Sequence, residues 1–140
     1  MNSVHFPRVS FVVVALALLG VAGCSTVNLD PKGQTQATFV AGEFRALVNA
    51  TAPVATKATT EAFRQLGLFQ IKNELRTFDA ELAARTPKDE KVRITIKEIN
   101  SRQTEIAIRV DVVGNRNFSR QLFDQIDKNL GSGARSSGGF

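Results

Sequence analysis

Hydrophobic positions along this chain change their spacing several times, and each change marks a predicted element. Residues 11–22 read FVVVALALLGVA, an uncharged apolar run. Coiled as a helix at about 1.5 Å per residue it reaches roughly 18 Å, short of a hydrocarbon core about 30 Å thick. Residues 38–48 (TFVAGEFRALV) then alternate in the manner of a strand. Val40, Phe44, Ala46 and Val48 are expected on one face, with Gly42 as a bulge or point of close backbone approach. From residue 52 to 66 the period lengthens to that of a helix. Thr51 stands at its cap, Pro53 in its first turn and Gly67 just past its end. Val54, Ala58, Ala62 and Leu66 form its expected apolar stripe, flanked by Ala55 and Phe63.

Residues 68–75 predict a strand with imperfect alternation. Phe78, Ala80, Leu82 and Ala84 alternate with charged neighbours in the next one, and Pro87-Lys88-Asp89-Glu90 makes a turn. The clearest period-2 signal comes last: Val92, Ile94 and Ile96, then Ile106, Ile108, Val110 and Val112, separated by a polar loop near 100–103. Keeping both apolar sets on one face requires an even sum of paired residue numbers. One such register sets Lys97 opposite Glu105 and Lys91 opposite Asp111, but also Arg93 opposite Arg109. A shift of two sets Arg93 opposite Asp111. Cross-strand charge pairs are worth only tenths to about 1 kcal/mol, so charge leaves the choice open. After Gly114, Asn115 or Asn117 caps a final helix carrying Phe118, Leu122, Ile126 and Leu130 at i+4 spacing, with Phe123 beside them. The order is β-α-β-β-β(-β)-α, which predicts an α+β two-layer sandwich: a mostly antiparallel sheet with two helices on one face.

Domain limits follow from the same pattern. Residues 1–23 form a leader, 24–36 (ending in STVNLDPKGQTQ) a polar tether, 37–130 the α+β domain, and 131–140 (GSGARSSGGF) a Gly/Ser-rich tail expected to be disordered. Composition changes this picture little: 43% hydrophobic and 22% charged residues suit one small globular domain. The 10 Phe, with no Trp or Tyr, favour a dry core over a stacking platform. The net charge is +5, and Arg8 is the only charged residue of the leader. Alone, that surplus would suggest nucleic acid; behind an export leader, anionic headgroups or acidic envelope proteins are the accessible counter-charges. A solvated, evenly spread charge is the simplest reading of it.

The leader carries the sharpest motif. Arg8 precedes the short apolar run, and small residues follow it, the three parts of an export signal. Leu19-Gly20-Val21-Ala22-Gly23-Cys24 resembles the bacterial lipobox, with Val21, Ala22 and Gly23 before Cys24. The resemblance implies cleavage between Gly23 and Cys24, a diacylglyceryl group on the thiol, and a palmitate-class acyl chain on the new amino group. Small residues let the backbone enter a protease cleft, and the thiol is a soft nucleophile. Acyl burial is worth about 0.8 kcal/mol per CH₂, so two or three chains hold a domain on a bilayer. Ordinary signal cleavage at the same bond and a retained apolar anchor are the alternatives. Ser25, not Asp, follows the cysteine, which by resemblance to Gram-negative lipoproteins favours the outer membrane.

Candidate chemistry elsewhere is sparse. The single Cys allows no internal disulfide, and His5 lies in the leader, so the mature chain has no histidine to act as general base or metal ligand. Glu74, Asp79 and Glu81 sit among basic residues and read as a solvated mosaic, not an acid/base pair. Arg109 and Arg116 near the start of the last helix invite an anion, but also suit solvent-facing arginines. No catalytic residue, metal site or cofactor is therefore expected.

The runs Ala62-Phe63-Arg64-Gln65-Leu66-Gly67-Leu68, Ala83-Ala84-Arg85-Thr86, Ile106-Ala107-Ile108-Arg109-Val110 and Asn115 through Ser119 resemble a family of small bacterial lipoproteins known only as a domain of unknown function. The likeness spans about residues 38–130; this chain has Asp111 where the family often has Gly. It implies an envelope lipoprotein with no assigned catalytic residue. The expected role is a membrane-anchored, non-enzymatic accessory domain that meets a protein partner, with a small anionic or lipidic ligand between helices and sheet as the alternative.

Overall fold

The computed structural model of the chain describes residues 25–28 and 36–136. The expected leader and the expected lipobox residues Val21, Ala22, Gly23 and Cys24 lie outside them. The elements are β1 (Ser25–Asn28), β2 (Gln36–Val40), β3 (Glu43–Val48), α1 (Ala52–Gln65), β4 (Phe69–Leu75), β5 (Asp79–Arg85), β6 (Lys91–Asn100), β7 (Gln103–Val110) and α2 (Arg116–Ser136). The strands form one antiparallel sheet in the order β1-β2-β3-β7-β6-β5-β4. Both helices pack on one face of it, α1 over β4, β5 and β6, α2 over β7 and β3. This is the α+β two-layer sandwich that the residue pattern predicts.

The core lies between the layers. Phe44, Leu82, Ile94, Ile96, Ile106 and Ile108 rise from the sheet to meet Ala62 and Phe63 of α1 and Leu122, Phe123 and Ile126 of α2, all essentially inaccessible. The rings of Phe44 and Phe123 lie 5.5 Å apart in a tilted pair. Alanines at 55, 58 and 62 keep α1 close to the strands, as their small volume allows.

Four differences from the pattern have physical causes. First, residues 38–48 are a hairpin, not one strand. Ala41 and Gly42 both have positive φ, +51° and +78°, and Val40 pairs directly with Glu43. A two-residue turn of this kind matches strand twist and reverses the parity of the inward positions. Ala37 is therefore buried and Val40 is 47% exposed. Second, the buried stripe of α1 is rotated from the predicted one. Val54 is 52% exposed, whereas Thr56 and Thr59 are buried. Their hydroxyls donate to the carbonyls of Ala52 and Ala55 at 2.8 Å, so burial leaves no polar group unsatisfied. Third, part of the expected tether is ordered: Ser25–Asn28 adds to the open side of β2 as β1, with Ser25 opposite Phe39. Its four residues are too few for a periodic signal, and the unpaired edge of β2 supplies the partner. Fourth, α2 continues to Ser136, beyond the tail boundary at 130. Each added residue closes another helical hydrogen bond, and an isolated Gly costs about 1 kcal/mol without blocking the helix as Pro does.

The β6–β7 register is the first of the two predicted alternatives, with Lys97 opposite Glu105 and Arg93 opposite Arg109. The arginine pair is relieved sideways, Arg93 toward Glu81 at 3.9 Å and Arg109 toward Glu43 at 3.8 Å. The two-residue loop starts the hairpin at Asn100 opposite Gln103, an odd sum that would turn one strand's apolar set outward. A bulge at Ile99 restores the even sum. That residue is consequently unpaired and 54% exposed.

Thr51 occupies the α1 cap without a side-chain bond. Glu98 replaces it, accepting the Ala52 N–H at 2.9 Å and placing a carboxylate at the positive end of the helix. Its cross-strand partner Thr104, fully buried, donates to the Ala50 carbonyl at 2.6 Å. Asn115 caps α2, accepting the Phe118 N–H at 3.1 Å. Urea denaturation should show Leu82→Ala losing about 2–5 kcal/mol, as fully buried leucines do. Val54→Ala should stay within about 0.5 kcal/mol of the parent, as an exposed position does.

Candidate functional site

The termini of the strands divide the molecule into two ends, and the candidate residues gather at one of them. There the β2–β3 turn meets the loop between β7 and α2. Gly42 and Gly114 stand back to back: a Cβ on Gly42 would come 2.3 Å from the Val113 carbonyl oxygen, and a Cβ on Gly114 would come 2.2 Å from the Gly42 carbonyl oxygen. Both have positive φ, so each position needs glycine for its backbone and for its space.

Arg109 fastens the same contact. Its guanidinium donates to the Ala41 carbonyl at 2.9 Å and to the Val112 carbonyl at 3.4 Å, and pairs with Glu43 at 3.8 Å. The carbonyl bond to Ala41 falls on the one non-glycine residue of the left-handed turn, where an L side chain is disfavoured. Arg116, the first residue of α2, sets its guanidinium 5.9 Å from the centroid of the Phe39 ring. Of the two arginines the sequence offers for an anion, Arg109 is thus committed to main-chain carbonyls, and Arg116 lies against an aromatic face. A shallow, open recess of about 350 Å³ adjoins Arg116, bordered also by Glu90, Asp111, Val113, Gly114 and Asn115.

The helix-free face of the sheet holds the carboxylates. Glu74 and Glu81 pair across β4 and β5, and the Lys72 ammonium lies 3.2 Å from the first and 2.8 Å from the second. Asp79 pairs with Arg76 at 3.3 Å. Hydrogen bonding from Lys72 holds the Glu81 carboxyl below its ordinary range, the opposite of the rise a general acid requires. Lys72 is correspondingly shifted upward by the same bond. These groups form the solvated ion-pair mosaic that the sequence predicts. Among the described residues, no group of three His, Cys, Asp or Glu is placed to hold a metal ion.

Apolar side chains reach solvent at several places: besides Val40, Leu47, Val54 and Ile99, Phe78, expected to alternate inward, lies just before β5 and is 65% exposed. β4 is one of the sheet's two edges, with Phe69, Ile71 and Leu75 all about half exposed or more. At the loop end, Val112 and Val113 are 83% and 84% exposed. Val112 was expected inside, as the last member of the β7 alternation. Asp111 interrupts it: its φ of +59° ends the strand at Val110 and turns the chain outward.

A family model described as "Protein of unknown function (DUF3568)" matches residues 9–129. The chain belongs to the DUF3568 family. None of the curated proteins matches it. In this DUF3568 chain the matched span runs from residue 9 to within the last turns of α2, so the sandwich and Cys24 fall inside one family unit.

Two structural contacts of the DUF3568 domain escape a reading of the sequence. Glu98 caps a helix 46 positions away, a relation no local motif encodes. Gly42 and Gly114 are individually visible as turn residues, but their mutual contact is not. Gly67, with φ +67° and open space around its missing side chain, supplies a control. Gly42→Ala and Gly114→Ala should each lose about 2–4 kcal/mol in chemical denaturation, because strain and overlap combine. Gly67→Ala should lose about 1 kcal/mol, from backbone conformation alone.

Proposed function

We propose that this protein is a lipid-anchored protein of the bacterial cell envelope, and that its domain is a non-enzymatic accessory module that meets a protein partner. The observation that carries this reading is the lipobox-like Val21-Ala22-Gly23-Cys24 at the end of a short apolar leader. The family match begins at residue 9, so the apolar run 11–22 and Cys24 belong to the region shared with the family, which supports reading them as one functional unit with the domain. In this reading acyl chains on Cys24 make the attachment; among the described residues no helix is long and apolar enough to cross a membrane.

The accessory role rests on surfaces in place of a reactive centre. The carboxylates are matched to cations, and the exposed edge β4 carries outward main-chain groups and apolar side chains suited to strand addition. A ligand between the layers, the alternative expectation, would have to displace Phe44, Phe63 and Phe123, which are fully buried there. Ser25 after the cysteine favours the periplasmic face of an outer membrane.

Metabolic labelling with palmitate and mass spectrometry of the mature amino terminus test the anchor together. The parent chain should incorporate label and begin at a diacylglyceryl-modified Cys24. Cys24→Ser should incorporate none and remain uncut. A serine variant that is trimmed at the same bond and stays equally membrane-bound would sink the reading.

A further inference from the structure

We infer that Val112 and Val113 form a membrane-contacting tip, which seats the domain on the bilayer in one orientation; this rests on the lipid-anchor reading above. These are the most exposed large apolar residues of the described chain, at 83% and 84%. Two adjacent β-branched side chains at such exposure in a clamped loop are unlike scattered surface valines. Asp111 and Gly114 flank them with φ of +59° and +87°, which turns the pair outward. The Gly42–Gly114 contact and the Arg109 bond to the Val112 carbonyl hold the loop in that form.

The position of the tip relative to the anchor identifies its partner as a lipid surface. β1 begins at Ser25, the residue bonded to Cys24, and Ser25 lies opposite Phe39. Phe39 is two residues before the Ala41-Gly42 turn, and that turn touches Val113. The first residue after the lipidated position therefore belongs to the same end of the sheet as the tip. Between β1 and β7 lie three strand spacings, about 14 Å in all. Successive Cα atoms are about 3.8 Å apart, so acyl chains on Cys24 bring the bilayer surface to this end of the molecule. Val40, 47% exposed and next to the turn, extends the apolar contact. The opposite end, with the Ser101-Arg102 turn, then faces away from the membrane. A domain seated this way presents the β4 edge sideways, along the membrane plane.

The absence of Trp and Tyr from the sequence makes the test direct, because one introduced tryptophan is the sole indole reporter. Full-length chains carrying Val113→Trp, Val112→Trp or Ser101→Trp are purified from membranes and reconstituted into phosphatidylethanolamine/phosphatidylglycerol vesicles, with and without brominated acyl chains. All three positions are exposed, so the fold should accept them. Emission from Val113→Trp and Val112→Trp should shift to the blue and be quenched about twofold or more by bromolipid, as expected for residues 5–10 Å into the headgroup boundary. Ser101→Trp should keep its water-exposed emission. Proteins that float with the vesicles but show no quenching at 112 and 113, or equal quenching at 101, overturn the tip and leave the anchor standing. Proteins that do not float at all overturn the anchor, and the tip with it.

Discussion

Parity holds this fold together. In an antiparallel pair, an even sum of partnered residue numbers keeps like-numbered sets on the same face, and an odd sum exchanges them. The β3–β7, β6–β7 and β5–β6 pairings all run on even sums, so Phe44, Ala46, Ile106, Ile108, Ile94, Ile96, Leu82 and Ala84 rise together against the helices. Where a short turn imposes an odd sum, the sheet answers in one of two ways. At β6–β7 a bulge at Ile99 restores parity; at β2–β3 no bulge follows, and β2 buries its odd positions. Each device leaves a mark on the surface, since Ile99 and Val40 are apolar residues released to solvent by the adjustment.

The two ends of the sandwich are secured by different chemistry. At one, Glu98 and Thr104, paired across β6 and β7, receive the start of α1 through its Ala52 N–H and the Ala50 carbonyl. At the other, main chain meets main chain at Gly42 and Gly114, and Arg109 ties the contact to its own strand. The first arrangement tolerates adjustment through a side chain; the second does not, because no side chain lies between the backbones. Rigidity is thus concentrated at the end that displays Val112 and Val113 and from which β1 departs. A surface loop held this firmly suits a role in orientation more than one in capture.

The sheet's helix-free face is charged but nearly self-neutralised. Lys72 between Glu74 and Glu81, and Glu43 beside Arg45 and Arg109, consume their charges locally. Such exposed pairs contribute little to stability and are weakened further by salt. They leave few uncompensated charges on this face, while the β4 edge and the loop tip are among the apolar parts of the surface.

Strand alternation in residues 92–110, the α1 and α2 helices, the turn at 87–90 and the glycine stops were legible in the sequence because each is a local relation between near neighbours. The lipobox-like motif was legible for the same reason. What the chain order alone left open depends on partners distant in sequence: the choice between two registers, the Glu98 cap, the burial of Thr56 and Thr59, and the pairing of β1 with β2. The candidate anion site at Arg109 illustrates the difference. Its residue type and its place before a helix were visible locally, but Ala41, 68 positions away, claims the guanidinium. Local periodicity determines which face of an element is apolar; only packing determines which polar group is already satisfied, and what therefore remains for a partner to touch.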